Sequence, residues 1–258
     1  MRRHGAPAPV LVVAVATVLA GCATGEAPEA PSSDAVPSTV TVFAAASLTQ
    51  VFDTLAERFE STHPGVGVVL TSGGSGALAQ QIVAGAPADV FASAAEAPMQ
   101  TVVDAGLAEA PVVFATNTLE LVVPAGNPVG VSGLDDLARA ELRIALCDAS
   151  VPCGAASVEL LARRGVTAAP DTLETDVTSV LTKVVLGDVD AALVYRTDVI
   201  AAGGAIEGID APGAASVVNR YPIAVLADAA SPAAAEFVAF VTGVEGRAAL
   251  DAAGFGAP

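Results

Sequence analysis

The chain has 258 residues, with 28 acidic against 11 basic side chains, a net charge of −17, no tryptophan and two tyrosines. Such a balance excludes a nucleic-acid-binding protein, which needs basic stripes to neutralise phosphates. It also means that an anionic ligand must be held by a local site working against the field of the whole molecule. With few aromatics and abundant Ala, Val and Gly, the core has to be built from small aliphatic side chains.

Residues 1–21 read as an export signal. Arg2, Arg3 and His4 make a positive start, and Val10 to Leu19 is an apolar run too short to span a bilayer. The segment ends on Leu19-Ala20-Gly21-Cys22, which resembles the lipobox of bacterial lipoproteins, whose cysteine is acylated and becomes the new N-terminus. The other reading is an ordinary cleaved signal with Cys22 a stray thiol. Residues 22–38 are rich in Pro, Ala, Ser and acidic side chains without an apolar period, so they read as a flexible tether. Loss of Arg2 and Arg3 with the leader shifts the charge from −17 to −19. What remains is long enough for one large domain or two lobes of roughly a hundred residues each.

Thr39 to Ala44 alternates β-branched and small residues and reads as a buried strand. From Leu48 the period changes: Leu48, Val51, Phe52, Leu55 and Phe59 recur on one helix face. Ser47 therefore sits at or beside the N-cap of the first helix, at the carboxyl end of the first strand. That is a place where α/β folds bind anions, but also one where a serine serves only as a cap. Thr62-His63-Pro64-Gly65 stops the helix, Val66 to Thr71 is a second strand, and Ser72-Gly-Gly-Ser-Gly76 leads into a helix over 77–84. Val90-Phe91-Ala92 is a third strand and Met99 to Ala105 a short helix. This alternation is the pattern of a parallel sheet with right-handed crossovers.

A second α/β half follows. Strands are expected at Leu119–Pro124, Leu142–Cys147, Ala191–Tyr195 and Tyr221–Leu226. Helices are expected at Leu134–Ala140 behind Ser132, at Gly154–Arg164, and from Val177 to Val185 with Asp176 or Thr175 as cap and Gly187 as stop. Ala233–Val241 and Gly246–Ala253 close the chain as helices.

Cys147 and Cys153 form an even pair in an exported chain, and a disulfide between them is the expectation. The pair has no further Cys or His with which to complete a metal site. Enzyme chemistry finds little support. After the leader there is one histidine, His63, in a helix-stop turn. Gly73-Gly74-Ser75-Gly76-Ala77 lacks the last glycine of a nucleophile elbow, and neither a Walker loop nor a dinucleotide fingerprint occurs. What the chain does offer is four helix entrances carrying small or polar residues: Ser47, Ser75, Pro152-Cys153-Gly154 and Asp176-Val177. Helix starts present unpaired N–H groups and hydroxyls add directional donors, which together suit a small oxyanion.

Val42-Phe-Ala-Ala-Ala-Ser-Leu-Thr49, Leu78-Ala-Gln-Gln-Ile82, Gly85-Ala-Pro-Ala-Asp-Val-Phe91, Val151-Pro-Cys-Gly154 and Leu193-Val-Tyr-Arg-Thr-Asp198 resemble, in order, the motifs of the periplasmic molybdate-binding proteins. These are substrate-binding subunits of ABC transporters. The resemblance runs from Thr39 to Phe255 and implies an α/β, type II periplasmic-binding-protein fold: two lobes with mainly parallel sheets joined by two crossover segments. Residues 39–118 and 227–258 would form lobe I and residues 119–226 lobe II, with crossings near Thr118–Val123 and Tyr221–Leu226. It implies oxyanion contacts from the hydroxyls of Ser47, Ser75 and Tyr195 and from the backbone amides of Cys153 and Val177. Cys153 departs from the alanine of other members, and Ser75 lies among glycines rather than serines.

The function implied is extracytoplasmic capture of molybdate and tungstate without cofactor or catalysis, by a monomer anchored to the outer face of the cell membrane through lipidated Cys22, and delivery to a permease. Molybdate is a dianion with no proton to donate, so a pocket of donors would prefer it to protonated phosphate. No lysine or arginine stands at the site positions, and Lys183 and Arg196 are expected outside the first shell. The alternatives are a receptor for another tetrahedral oxyanion such as sulfate and, more distantly, a serine hydrolase using Ser75.

Overall fold

A computed structural model describes residues 38–258. The export signal, Cys22 and the tether up to residue 37 lie outside the described residues. Ser38, which the sequence reading gave to the tether, instead opens the first strand, its N–H bonded to the Gly65 carbonyl at 3.0 Å.

The first half builds β1 (Ser38–Ala45), β2 (Val66–Gly73) and β3 (Val90–Ala92) as a parallel set in the order β2-β1-β3. The links are α1 (Thr49–Thr62), α2 (Ser75–Val83) and α3 (Glu96–Asp104). Val40 and Val42 of β1 are fully buried, as the alternation requires. α1 buries Val51, Phe52, Leu55 and Phe59, each worth about 1.5–3 kcal/mol when taken from water. Phe59 meets Phe237 edge to face at 5.2 Å, which docks the C-terminal helices α7 (Ala234–Thr242) and α8 (Val244–Ala252) on the same face of the sheet. The other face packs Phe43 and Phe91 against Leu78, Ile82, Met99 and Val102 of α2 and α3. Asp89 ties the layers together. One carboxylate oxygen accepts from Thr41 N at 2.7 Å, the other from Ala230 N and Ser231 N at 2.7 and 2.9 Å.

Next comes β4 (Val112–Pro124), followed by β5 (Ile144–Cys147), α4 (Pro152–Arg164), β6 (Thr172–Glu174), α5 (Val177–Leu186), β7 (Ala191–Tyr195), α6 (Arg196–Ala202), β8 (Ile206–Ile209) and β9 (Val218–Val225). A second core forms from Leu121, Ile144, Leu160, Val180, Val184 and Leu193 with their neighbours. β4 serves both cores. Its Val112–Thr118 stretch pairs with β9, while Leu119–Val122 pairs with β7 and Leu121–Pro124 with β8. The chain returns at Val217–Asn219: Val217 belongs to the second core, β9 pairs with β4 from Val218, and Tyr221 and Ile223 lie in the first core. The return thus begins some residues ahead of Tyr221.

The sheet order is β2-β1-β3-β9-β4-β7-β5-β6, with β8 beside β4. The ladders among β1, β2 and β3 and among β5, β6 and β7 are parallel, and every ladder involving β4 or β9 is antiparallel. The expected α/β fold with parallel strands is therefore present, and its antiparallel component is confined to the two strands that pass between the cores.

The expected helix at Leu134–Ala140 is a 3-10 turn over Leu134–Ala138. Ser132 does not cap it by accepting; its N–H and hydroxyl both donate to the Asp136 carboxylate, at 2.6 and 2.9 Å. No helix among the described residues is long and apolar enough to cross a membrane.

Candidate functional site

A small cavity of about 20 Å³ lies where the two cores face each other. Ser47, Ser75, Cys153, Val177 and Tyr195 all line it, along with Ala45, Gly74 and Ala94. The five residues singled out from the sequence thus come from five separate places in the chain to one point.

Ser47 stands in a 3-10 turn, Ala46–Leu48, between β1 and α1. It is not the cap of α1: that position falls to Leu48, with no side-chain cap bond. The Ser47 hydroxyl instead lies 3.0 Å from the Tyr221 hydroxyl. Ser75 is the first residue of α2, two residues ahead of the expected helix start, and is 1% exposed. Its oxygen accepts from Ala94 N at 3.0 Å, which occupies a lone pair and leaves its proton free to donate.

From the second core, α4 and α5 aim their starts at the same point. Cys153 is the second residue of α4, behind Pro152, and Val177 is the first of α5. First-turn amides lie ahead of the first helical hydrogen bond and carry the positive end of the helix dipole. Asp176 caps α5, accepting from Ser179 N at 2.8 Å and from its hydroxyl at 3.1 Å. Its carboxylate is thereby engaged with its own helix. Cys147 and Cys153 are joined in a disulfide of sequence separation 6, which ties the end of β5 to the start of α4. Gly154 follows because a Cβ there would overlap the Asp148 carbonyl oxygen.

Tyr195 ends β7, and its hydroxyl is buried facing the Tyr221 hydroxyl and the Asn219 side chain, with neither at hydrogen-bond geometry. Its backbone N–H donates to Asp198 at 2.9 Å. Burial raises the phenol pKa of both Tyr195 and Tyr221, so both stay protonated donors. Burial also pushes the Asp198 carboxyl up to about 7, against the opposing effect of the Tyr195 amide. No lysine, arginine or histidine lines the cavity. Lys183 is paired with Glu174 at 2.9 Å, and Arg196 is exposed.

The two halves touch at the cavity rim. A Cβ on Gly74 would overlap the carbonyl oxygen of Thr175 and reach Val151 at 3.8 Å. Ser75 has no base beside it. His63, the one histidine among the described residues, stacks on Phe59 at 3.9 Å at the far end of α1, with Nδ1 2.9 Å from the Phe59 carbonyl oxygen.

Sequence reasoning missed Tyr221, Asn117 and Ala94, which back the two serines. Of the three only Tyr221 carries a sequence signal, scarcity: the chain has two tyrosines, Tyr195 and Tyr221, and both are fully buried here, 6.1 Å apart between ring centres.

Residues 40–256 match the family model described as "Bacterial extracellular solute-binding protein". The proteins called molybdate-binding protein ModA from Mycobacterium tuberculosis and Mycobacterium bovis are 45% identical over 221 residues, 85% of this chain and 85% of theirs. The protein of that name from Escherichia coli is 32% identical over 72% of this chain and 77% of its own. Among solved structures, the periplasmic molybdate-binding protein of Azotobacter vinelandii superposes with a TM-score of 0.75 at 24% identity, over 85% of this chain and 99% of that one. The sulfate-binding protein SubI of M. tuberculosis superposes at 0.72 and 21% identity, over 84% and 86%. These two superpositions carry the fold, and the matches along the sequence carry the kinship: the chain belongs to the bacterial extracellular solute-binding protein family and, within it, to the ModA proteins.

Proposed function

We propose that the protein is an extracytoplasmic receptor that closes on molybdate or tungstate and hands it to the permease of an ABC transporter. The ligand is held by the hydroxyls of Ser47, Ser75 and Tyr195 and by the amides of Cys153 and Val177. Residues 38–118 with 218–258 act as one lobe and 119–217 as the other, β4 and β9 being the segments that flex. Lipidated Cys22 and the tether keep the monomer at the outer face of the cell membrane.

The observation that carries this reading is the unpartnered Tyr195 hydroxyl in a cavity that two serines and the starts of α4 and α5 also line, and whose one acid, Asp176, is engaged with Ser179. A buried hydroxyl without a partner costs about 1–3 kcal/mol, and a tetrahedral oxyanion placed among the two serines and the two helix starts accepts from it. Neutral donors and the N-terminal ends of α2, α4 and α5 then balance the dianion without a cationic side chain. The ModA relatives at 45% identity support molybdate over sulfate as the ion.

Calorimetric titration tests the proposal. Molybdate and tungstate are expected to bind, with sulfate and phosphate far weaker. Tyr195→Phe should lose about 10- to 100-fold in affinity, while the ligand-free variant melts no lower than the unaltered protein, since an unsatisfied hydroxyl has been removed. Uptake of sulfate or phosphate with no heat from molybdate or tungstate would overturn it.

A further inference from the structure

Two serine hydroxyls face the cavity, and each can either donate or accept. Which they do decides whether the site takes a bare oxyanion or one that carries a proton. For Ser75 the backbone biases the matter: Ala94 N–H donates to its oxygen, so one lone pair is taken and the proton is free to point at the ligand. For Ser47 the partner is another hydroxyl, that of Tyr221 at 3.0 Å, and from this pair alone either could be the donor.

The next shell breaks the tie. Asn117 Oδ1 accepts from the backbone N–H of Thr118 at 3.0 Å, which fixes the amide's orientation. Its Nδ2 group therefore faces inward, donating to Thr197 Oγ1 at 2.8 Å and pointing at the Tyr221 hydroxyl oxygen from 3.5 Å. An NH2 group can only donate, so the phenol proton is turned away from it; two hydroxyls then face the phenol, Tyr195 and Ser47, and Ser47 Oγ is the one at hydrogen-bond geometry, 3.0 Å away. Asn117 and Tyr221 are both buried, at 4% and 0% exposure, so water does not compete for these positions.

We propose that Tyr221 is a positioning residue: with Asn117 behind it, it donates to Ser47 and so fixes the Ser47 hydroxyl as a donor into the cavity, which selects fully deprotonated oxyanions. The relay runs Asn117 N–H to Tyr221 oxygen, Tyr221 O–H to Ser47 oxygen, and Ser47 O–H to ligand. It does for Ser47 what the Ala94 amide does for Ser75. Two serines whose oxygens are already taken by a protein donor turn their protons to the ligand, which leaves Tyr195 as the one cavity hydroxyl whose direction the protein does not set. Burial keeps the phenol protonated, so the relay does not reverse near neutral pH. The inference rests on the oxyanion-receptor reading above.

Titration of the unaltered protein, Tyr221→Phe, Ser47→Ala and the double variant with molybdate and with phosphate at pH 7 tests it. Tyr221→Phe should weaken molybdate by about tenfold. It should also narrow the molybdate-over-phosphate preference, since Ser47 can now turn and accept from a P–OH. In the Ser47→Ala background the same change should cost less than about twofold, because its route to the ligand has gone. Should Tyr221→Phe not fold, Asn117→Ala frees the phenol proton and should narrow the preference in the same direction. An equal loss with and without Ser47, or an unchanged preference, overturns the inference while leaving the receptor reading intact. An unaltered protein that takes up no molybdate removes the ground for both.

Discussion

Asp198 shows what a single residue can cost the fold it serves. Its carboxylate accepts the Tyr195 backbone N–H and so holds the turn from β7 into α6. It does so at 8% exposure, with burial pushing the pKa from an ordinary 3.8 to about 7. The folded state therefore keeps a proton that the unfolded chain has already released between about pH 4 and 7. Stability is greatest on the acid side of that window and falls as pH rises through 7, by roughly 4 kcal/mol if the whole shift is expressed. Asp136, Asp190 and Glu174 work in the opposite sense, since hydrogen bonds and ion pairs lower their pKa values; their contribution is lost only as pH falls below the usual carboxylate range. Glu120, whose carboxyl burial also raises, acts in the same sense as Asp198, so chemical denaturation between pH 5.5 and 8 is read as the difference between the unaltered protein and a variant at Asp198. We expect the ligand-free protein to lose stability across that range and Asp198→Asn, which keeps an acceptor for Tyr195, to flatten the slope. An unchanged slope in the variant would assign the effect elsewhere.

At the scale of elements, the site depends on helix starts from both halves coming together, and Gly74 governs how closely they do. Its φ of −62° and ψ of 128° suit any residue, so alanine is acceptable to the backbone of α2's entrance. A Cβ there nonetheless overlaps the Thr175 carbonyl across the cavity. Gly74→Ala should melt like the unaltered protein without ligand, yet lose most of the stabilisation that molybdate confers, with affinity down by about 10- to 100-fold. A full ligand-induced shift in melting temperature would show that closure does not need this contact. The same elements show what the sequence could reveal. Long periodic segments such as α1, and strand-to-helix junctions such as Ser47 and Ser75, carry local patterns, and the site's inner face was legible from them. β6, α6 and β8 were not: they have three, seven and four residues, too few for a period to emerge, and Leu173 and Ile200 lie exposed where a pattern would bury them. Val112–Thr118 of β4 was missed because small and polar residues interrupt its apolar run. Tyr221 and Asn117 escaped for a different reason. They reach Ser47 only through the pairing of β9 with β3 and β4, contacts 174 and 104 residues apart in the chain for Ser47–Tyr221 and Asn117–Tyr221. Local patterning holds no record of such contacts.

For the molecule as a whole, the net charge of −17 opposes the ligand it is proposed to take. A dianion approaching from solution meets a repulsive field extending about one Debye length, 8–10 Å at 0.1–0.15 M salt, before it feels the donors of the cavity. The attraction at the site is short in range and shielded from bulk ions, so salt acts on the approach more than on the bound state. The association rate should therefore rise severalfold as sodium chloride goes from low to physiological concentration, with the dissociation rate nearly constant, the reverse of an electrostatically steered receptor. The chain supplies its own probe. It has no tryptophan, and its two tyrosines flank the site, so stopped-flow tyrosine fluorescence reports events at the cavity. An association rate that falls with salt would mean that a local positive field at the mouth outweighs the net charge. No cationic side chain lines the cavity, so that field would come from the helix ends or from exposed Arg196 beside Tyr195, and Arg196→Ala separates the two: a salt dependence it leaves unchanged belongs to the helix ends.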